Sequence, residues 1–210
     1  MSNKQSDHNP EHPSAWFEPL YAQAKGNPAD VPWARLRPDP AVSAWIDQLT
    51  WISSAERGLV VGSGLGDDAE ALAQTGAVVT AFDVSPSAVE WARQRFPHSP
   101  VDYQVADLLN PPPDWHQAFD LIVEVRTIQS LPPEVQPQAA RQIAAFCAPG
   151  GRLLVAGMLH DDGRSVSGPP WPIARSTLDA MEASGLSRSR FKQSQRYPGI
   201  WAFEALFTRR

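Results

Sequence analysis

The residues best placed to do chemistry fall in four clusters, each at the end of an apolar run. The first is Gly62-Ser63-Gly64-Leu65-Gly66-Asp67-Asp68, directly after Leu59-Val60-Val61. Three alternate glycines, lacking Cβ atoms, let the backbone turn sharply and let a ligand come close. The second is Asp83-Val84, which closes the run Val78-Val79-Thr80-Ala81-Phe82. An apolar strand, a glycine turn, a helix start and then a carboxylate about 20 residues on form the opening of a nucleotide-binding sheet, where that carboxylate accepts from ribose hydroxyls. The third is Asp107-Leu108, after Val101 to Val105. The fourth is Glu124 with Arg126, Thr127 and Gln129, at and beyond the run that starts at Phe119. A carboxylate so close to the end of an apolar run is costly unless it has a partner or faces a ligand. Arg126 is a candidate partner, and a ligand-facing Glu124 is the alternative.

Two ligand types use a glycine turn of this kind. A dinucleotide sets its pyrophosphate at the helix N-terminus, where free N–H groups and the helix dipole favour an anion. Here Asp67 and Asp68 stand at that N-terminus. Their carboxylates repel a pyrophosphate and suit the dipole themselves. S-adenosylmethionine has no phosphate, and its sulfonium and ammonium groups are cationic. The acidic helix start therefore favours S-adenosylmethionine over NAD. Simple capping of the helix by Asp67 or Asp68 is the competing reading.

From about Gly58 to its C-terminus the chain resembles a class I S-adenosylmethionine-dependent methyltransferase. The resemblance rests on Gly62-Ser63-Gly64-Leu65-Gly66, on Asp83, on Ala106-Asp107-Leu108-Leu109 and on Phe119-Asp120-Leu121-Ile122-Val123-Glu124-Val125. It implies a cofactor site built from Gly62, Ser63, Gly64, Gly66, Asp83, Val84, Asp107, Leu108 and Glu124, with Glu124 and Arg126 beside the transferred methyl group. On the residues alone, Asp107 also reads as a turn or cap residue. The family usually carries an acidic residue two positions before the first glycine, where this chain has Val60. Two Trp-Pro segments, Pro32-Trp33-Ala34-Arg35 and Gly168-Pro169-Pro170-Trp171-Pro172-Ile173-Ala174-Arg175, resemble the covers of the thiopurine S-methyltransferase-like branch. That resemblance implies Trp33 stacked on the sulfonium by cation–π attraction. It also implies substrate contacts from Arg35, Trp171 and Arg175, and a thiol or related soft nucleophile as acceptor. The alternative for both segments is a rigid connector whose tryptophan plugs the core.

Other polar groups read as structural. Asn110-Pro111-Pro112-Pro113 looks like a motif that grips amines, but it precedes the fourth strand instead of ending it. His160-Asp161-Asp162 could offer a base, but a solvated loop histidine is the favoured reading; adjacent aspartates do not define a metal site, and no metal is expected. Cys147 reads as core.

The elements that position these clusters alternate. Strands are predicted at 58–61, 78–82, 101–105, 119–125 and 152–157. Helices are predicted at 67–75, from Pro86, and at 137–148, after a helix from Pro40 that carries Val42, Trp45, Ile46 and Leu49 on one face. Ser85 is the predicted N-cap of the Pro86 helix, with Ala88, Trp91 and Ala92 buried. Ser176-Thr177-Leu178-Asp179 reads as a capping box opening the last helix. Strands at 187–195 and 199–209, joined by Tyr197-Pro198-Gly199, can only be antiparallel. The fold class is thus α/β: one doubly wound, mostly parallel, seven-stranded sheet with an antiparallel C-terminal hairpin and helices on both faces. The hairpin differs from a dehydrogenase half-repeat. Residues 1–13 read as a disordered tail, and 14–40 as a segment lying over the cofactor. Its Trp16, Phe17, Leu20, Tyr21 and Trp33 are too apolar for a free tail.

Composition narrows the partners. A length of 210 residues fits one domain with a sizeable core. A net charge of -5 and the lack of a Lys/Arg cluster argue against nucleic acid. A single cysteine excludes an internal disulfide and fits a reducing compartment. The polar start and the lack of a long apolar run predict a cytoplasmic protein with no membrane partner; the oligomeric state is left open. The expected activity is methyl transfer from S-adenosylmethionine to a small-molecule acceptor. The rivals are an NAD-dependent oxidoreductase and a catalytically silent S-adenosylmethionine-binding protein.

Overall fold

The computed structural model describes residues 13–49 and 55–210, so nearly all of the predicted tail lies outside the described residues. The chain begins with α1 (Phe17–Ala24), a 3-10 turn at Pro28–Asp30 and α2 (Pro40–Ile46). Then β1 (Arg57–Val61), α3 (Asp67–Ala73), β2 (Val78–Asp83), α4 (Pro86–Arg95), β3 (Asp102–Val105) and β4 (Phe119–Val125) alternate. They are followed by α5 (Gln136–Phe146), β5 (Cys147–His160), a two-residue β6 (Ile173–Ala174), α6 (Arg175–Ala183), β7 (Leu186–Tyr197) and β8 (Ile200–Arg209).

The strands lie in the order β3-β2-β1-β4-β5-β8-β7, with β6 pairing on β5. The first five are parallel, while β8 runs antiparallel to β5 and β7 to β8. Side chains alternate across the sheet, because successive Cβ atoms point to opposite faces. Leu59, Val61, Phe82, Ile122 and Val155 pack on one face with α5 and α6. Val60, Ala81, Leu121, Val123 and Leu154 pack on the other with α2, α3 and α4. The chain leaves β1 toward β2 on one side and later returns to β4 on the other. The crevice beyond the carboxyl ends of β1 and β4 is therefore the switch point where ligands bind in such sheets.

Local signals explain most of the elements. Ser85 caps α4 by accepting the Ala88 amide at 3.1 Å, with Pro86 as the first helical residue. Four details differ from the sequence reading. Val89, not Trp91, joins Ala88 and Ala92 on the buried face of α4, and Trp91 packs half-buried beside α1. The β5 strand is longer than 152–157, because Cys147 already pairs with Phe119 before a register shift, and β8 extends the pairing to His160. Cys147 is core as expected, but it belongs to β5 and not to the helix. The capping box of α6 does not form. Ser176 instead donates its amide (3.0 Å) and its hydroxyl (2.8 Å) to Asp162 Oδ1, so a carboxylate from the preceding loop closes the helix start. Those bonds hold Asp162 below the usual carboxylate range. Among the described residues no helix is long and apolar enough to cross a membrane.

Candidate functional site

A cavity of about 500 Å³ opens beyond the carboxyl ends of β1, β2 and β4, within the size range of small-molecule sites. Its floor is the glycine turn. The Ser63 amide donates to Phe82 O at 2.8 Å, tying the turn to β2. Gly62 and Gly66 are needed for the protein's own packing. A Cβ at Gly62 would sit 2.4 Å from Thr127 Oγ1, and one at Gly66 2.5 Å from the Tyr103 hydroxyl. Gly64 is the glycine that faces upward, with a φ of +51° and the Tyr21 hydroxyl 3.1 Å from where a Cβ would stand. Its amide donates to Asp83 Oδ2 at 3.0 Å.

Asp83 ends β2 and lines the cavity. Its Oδ1 accepts the Ser85 amide at 3.0 Å. Burial pushes its pKa up to about 6, against the pull of the Ser85, Gly64 and Val84 amides. Two backbone amides thus fix the carboxylate, and each of its oxygens keeps a lone pair for a ribose hydroxyl. Val84 and Leu108 also line the cavity, as does Asp107. The Asp107 side chain accepts the Leu109 amide at 2.9 Å, so its role as a turn residue is present in the geometry. Beside the turn, the buried Ser63 hydroxyl has no hydrogen-bond partner among the described residues. A buried polar group normally has a partner. A fixed carboxylate at the end of β2, an upward-facing glycine and an unsatisfied hydroxyl in one cavity fit a nucleoside with a polar tail.

The acidic start of α3 does not cap its own helix. The N-cap is Gly66, without a side-chain bond. Asp67 takes a two-pronged ion pair from Arg95, at 2.7 and 2.8 Å. Asp68 Oδ1 accepts the Asp39 amide at 2.7 Å, and burial pushes its pKa up to about 6. Asp39 is a hub. Its Oδ1 caps α2 through the Ala41 amide, and its Oδ2 receives Arg35 at 3.1 Å and Arg126 at 2.5 Å. The ion-pair partner of Arg126 is therefore Asp39 and not Glu124. The signal for Asp39 was legible, since an aspartate before Pro40 is an N-cap pattern.

Glu124 is buried and is not a cavity wall. Its Oε1 accepts the Thr127 amide at 2.8 Å and the Ile128 amide at 3.0 Å, which holds the loop after β4. Burial pushes it up to about 7, partly offset by those amides and by the charge of Arg126. The walls after β4 are Val125, Arg126, Thr127, Gln129, Ser130 and Leu131.

Over the cavity lies the N-terminal segment. Trp33, Arg35 and Arg37 line it, with Trp16, Phe17, Leu20 and Tyr21 from α1 and its approach. Trp33 Nε1 donates to the Tyr21 hydroxyl at 2.7 Å, and its ring meets Trp16, Phe17 and Tyr21 edge-on. Burial, with the nearby Asp83 charge, pushes the Tyr21 hydroxyl upward, so Tyr21 stays neutral. Glu18 fastens α1 to the start of α4. It accepts from Ser85 Oγ at 2.5 Å, from Ser87 Oγ at 2.6 Å and from the Ser87 amide at 3.0 Å. Partial burial raises its pKa, but those bonds outweigh it and hold Glu18 below the usual range. Sequence reading missed Glu18 because its partners lie almost 70 residues away, at |i−j| of 67 and 69.

The second predicted cover is split. Pro169 and Pro170 line the cavity, but Trp171 and Arg175 do not. Trp171 binds through its backbone, donating to Gln129 O at 2.6 Å and accepting from Gln136 Nε2 at 3.1 Å. The Arg175 guanidinium lies 5.0 Å over the Trp201 ring and pairs with Asp161 at 2.7 Å. His160 is not a solvated loop residue but the buried end of β5, its Nδ1 lying 2.7 Å from Asp161 O.

Sheet order, switch-point cavity and strand-end carboxylate together define the class I methyltransferase type of fold. Residues 59–151 match a family model described as a methyltransferase domain. The chain is similar to a probable thiol methyltransferase 2 of Arabidopsis thaliana, 31% identical over 71% of this chain and 65% of that protein. It is also similar to a thiocyanate methyltransferase 1 of Brassica oleracea, 30% identical over the same shares. The match thus spans about two thirds of the length of these curated relatives, just short of that fraction. Among solved structures, one described as showing the conversion of a disulfide bond into a thioacetal group during echinomycin biosynthesis has a TM-score of 0.70. It is 21% identical, with 91% of both chains covered, and shows the shared fold.

Proposed function

We propose that the protein transfers the methyl group of S-adenosylmethionine to a small, soft nucleophile, with a thiolate or a related sulfur anion as the favoured class. The observation that carries the reading is the pairing of Asp83 with the glycine turn in a cavity whose helix start carries Asp67 and Asp68. That arrangement suits a ribose, and with Asp67 paired to Arg95 it is the Asp68 carboxylate that disfavours a pyrophosphate there. When bound, S-adenosylmethionine supplies a methyl group already activated on a sulfonium.

The protein's part is then alignment and dryness. Asp83 fixes the ribose, and Leu108 with Val84 packs beside the nucleoside. Ser63 and Gly64 offer a hydroxyl and an open approach to the methionine end. Trp33 and Tyr21 close the roof and exclude water. Val60 has no acidic side chain to share in this, so the methionine end is held mainly from the turn and the roof. Orientation of two reactants can supply roughly 7–11 kcal/mol of a barrier. A thiolate loses its charge as it attacks a sulfonium, so a dry site speeds that step. No general base is needed for it, which agrees with Glu124 serving the loop. Arg35 and Arg126 share one carboxylate, Asp39, and Arg37 has no ion pair among the described residues. Arg37, on the cavity wall, is the cation left to meet an anionic acceptor. The names of the similar plant proteins, thiol and thiocyanate methyltransferase, point the same way.

The test is turnover with benzenethiol and thiocyanate beside phenol and a primary amine. The expected result is S-adenosylhomocysteine formed in step with the methylated sulfur product, and little with oxygen or nitrogen acceptors. Binding of S-adenosylmethionine without transfer to any of the four would leave a silent binding protein.

A further inference from the structure

Gln129 is a buried polar residue on the half of the cavity that the nucleoside leaves free. The cofactor contacts argued above come from the ends of β1, β2 and β3. Gln129 instead bridges the ends of β4 and β5, where an acceptor would meet the methyl group. Its side chain is 3% exposed, and the residue lines the cavity.

The orientation of its amide is fixed by chemistry. Gln129 Oε1 lies 2.7 Å from the Met158 amide nitrogen. A backbone N–H can only donate, so the oxygen of the side chain must face β5. Gly157 makes room for it, since a Cβ there would stand 2.7 Å from Oε1. The NH₂ group, on the opposite side, has no hydrogen-bond partner among the described residues. The backbone of Gln129 is fixed as well, because the loop after β5 lands on it through the Trp171 amide at 2.6 Å. A donor whose amide is fixed in orientation, on a residue that lines the cavity, is placed to serve a ligand there.

We propose that the side-chain NH₂ of Gln129 donates a hydrogen bond to the methyl acceptor and selects acceptors that carry negative charge on or next to the attacking atom. This assignment rests on the proposed methyl transfer. It makes Gln129 a specificity-determining residue, acting on the acceptor and not on the cofactor. A neutral donor suits a sulfur anion, because it holds the charge without the cost of parting a tight ion pair when the charge is lost.

The test uses two variants of the full chain. Gln129→Glu keeps an oxygen for the Met158 amide and removes the NH₂. Gln129→Met fills a similar volume and has no donor at any pH. Three quantities are read: the KM for thiocyanate and for benzenethiol, kcat, and the affinity for S-adenosylhomocysteine by calorimetry. The expected result is a KM raised tenfold or more for both acceptors in both variants, with S-adenosylhomocysteine affinity within twofold of wild type. An acceptor KM within twofold of wild type in Gln129→Met would overturn the assignment. So would losses of acceptor and S-adenosylhomocysteine affinity in equal proportion, which would mean that Gln129 only braces β5. Failure of the wild-type protein to methylate either acceptor would overturn the proposed function itself, and the assignment with it.

Discussion

Asp83 combines the two properties that a ribose-gripping carboxylate needs. It is held rigidly by the Gly64 and Ser85 amides, and it lines the cavity. Hydrogen bonds to a charged group contribute about 1.5–3 kcal/mol. Asp83→Ala should therefore weaken S-adenosylhomocysteine binding tenfold or more while leaving a cooperative thermal melt. Calorimetry on the folded variant checks this, and unchanged affinity would remove the residue from the site. With a pKa near 6, Asp83 loses its charge in mild acid. The wild-type affinity should thus fall as pH drops through about 6.

Glu124 gives a prediction of opposite character. Its folded pKa of about 7 lies above the ordinary 4.5. The folded state therefore holds this proton more tightly than the unfolded one. The stability this contributes is complete below pH 4.5 and is lost as pH rises through 7. A glutamine in its place would keep an oxygen for the Thr127 and Ile128 amides and could not ionise. Glu124→Gln should accordingly melt higher than wild type above pH 7, by at most ~3 kcal/mol of stability, and equally near pH 4.5. A variant that melts lower at pH 8 would show that the carboxylate's charge is needed. At this scale the sequence disclosed what was local. The glycine spacing and Asp83 could be read because they follow one strand–turn–helix pattern. The Arg126–Asp39 pair could not, since it spans 87 residues, and Glu124 therefore looked as though it needed Arg126.

The elements around the cavity differ in how they are held. The glycine turn is locked by Thr127 and Tyr103 from below. The N-terminal segment is pinned at few points: Glu18 on α4, Asp39 on Asp68, and Arg126 on Asp39. A segment held by these polar bonds and by one small apolar cluster, Tyr21, Ala24 and Val31 with Leu65 and Ala88, over a ligand cavity is suited to open and close, as lids do. We propose that residues 14–37 exchange their amide hydrogens quickly in the free protein and several-fold more slowly with S-adenosylhomocysteine bound. Glu18→Ala should speed exchange in α1 and leave β1 and β4 unchanged. Equal, slow exchange with and without ligand would make the segment a fixed part of the core. Element boundaries were legible where caps and stops are local, as at Ser85. They failed where tertiary contacts decide. The strand expected at 152–157 already begins at Cys147, because Cys147 pairs with Phe119. The α6 helix takes its cap from Asp162, 14 residues away from Ser176.

At the scale of the molecule, strand order places the chemistry. Parallel strands β3-β2-β1-β4-β5 align their carboxyl ends, and the switch between β1 and β4 opens the cavity there. The apolar runs and the closing hairpin made that architecture readable, because strand type follows from connection length. The acceptor half was less readable. Its walls come from loops whose proximity is set by the sheet, so Trp171 and Arg175 looked like substrate contacts although neither lines the cavity. The central claim is that the cavity takes a phosphate-free, sulfonium-bearing nucleoside. The measurement that tests it most directly is calorimetric titration of the protein with S-adenosylhomocysteine, S-adenosylmethionine and NAD in parallel. One saturable site for the two sulfur nucleosides, with no heat from NAD, is the predicted result. Saturable binding of NAD without binding of either sulfur nucleoside would contradict the account.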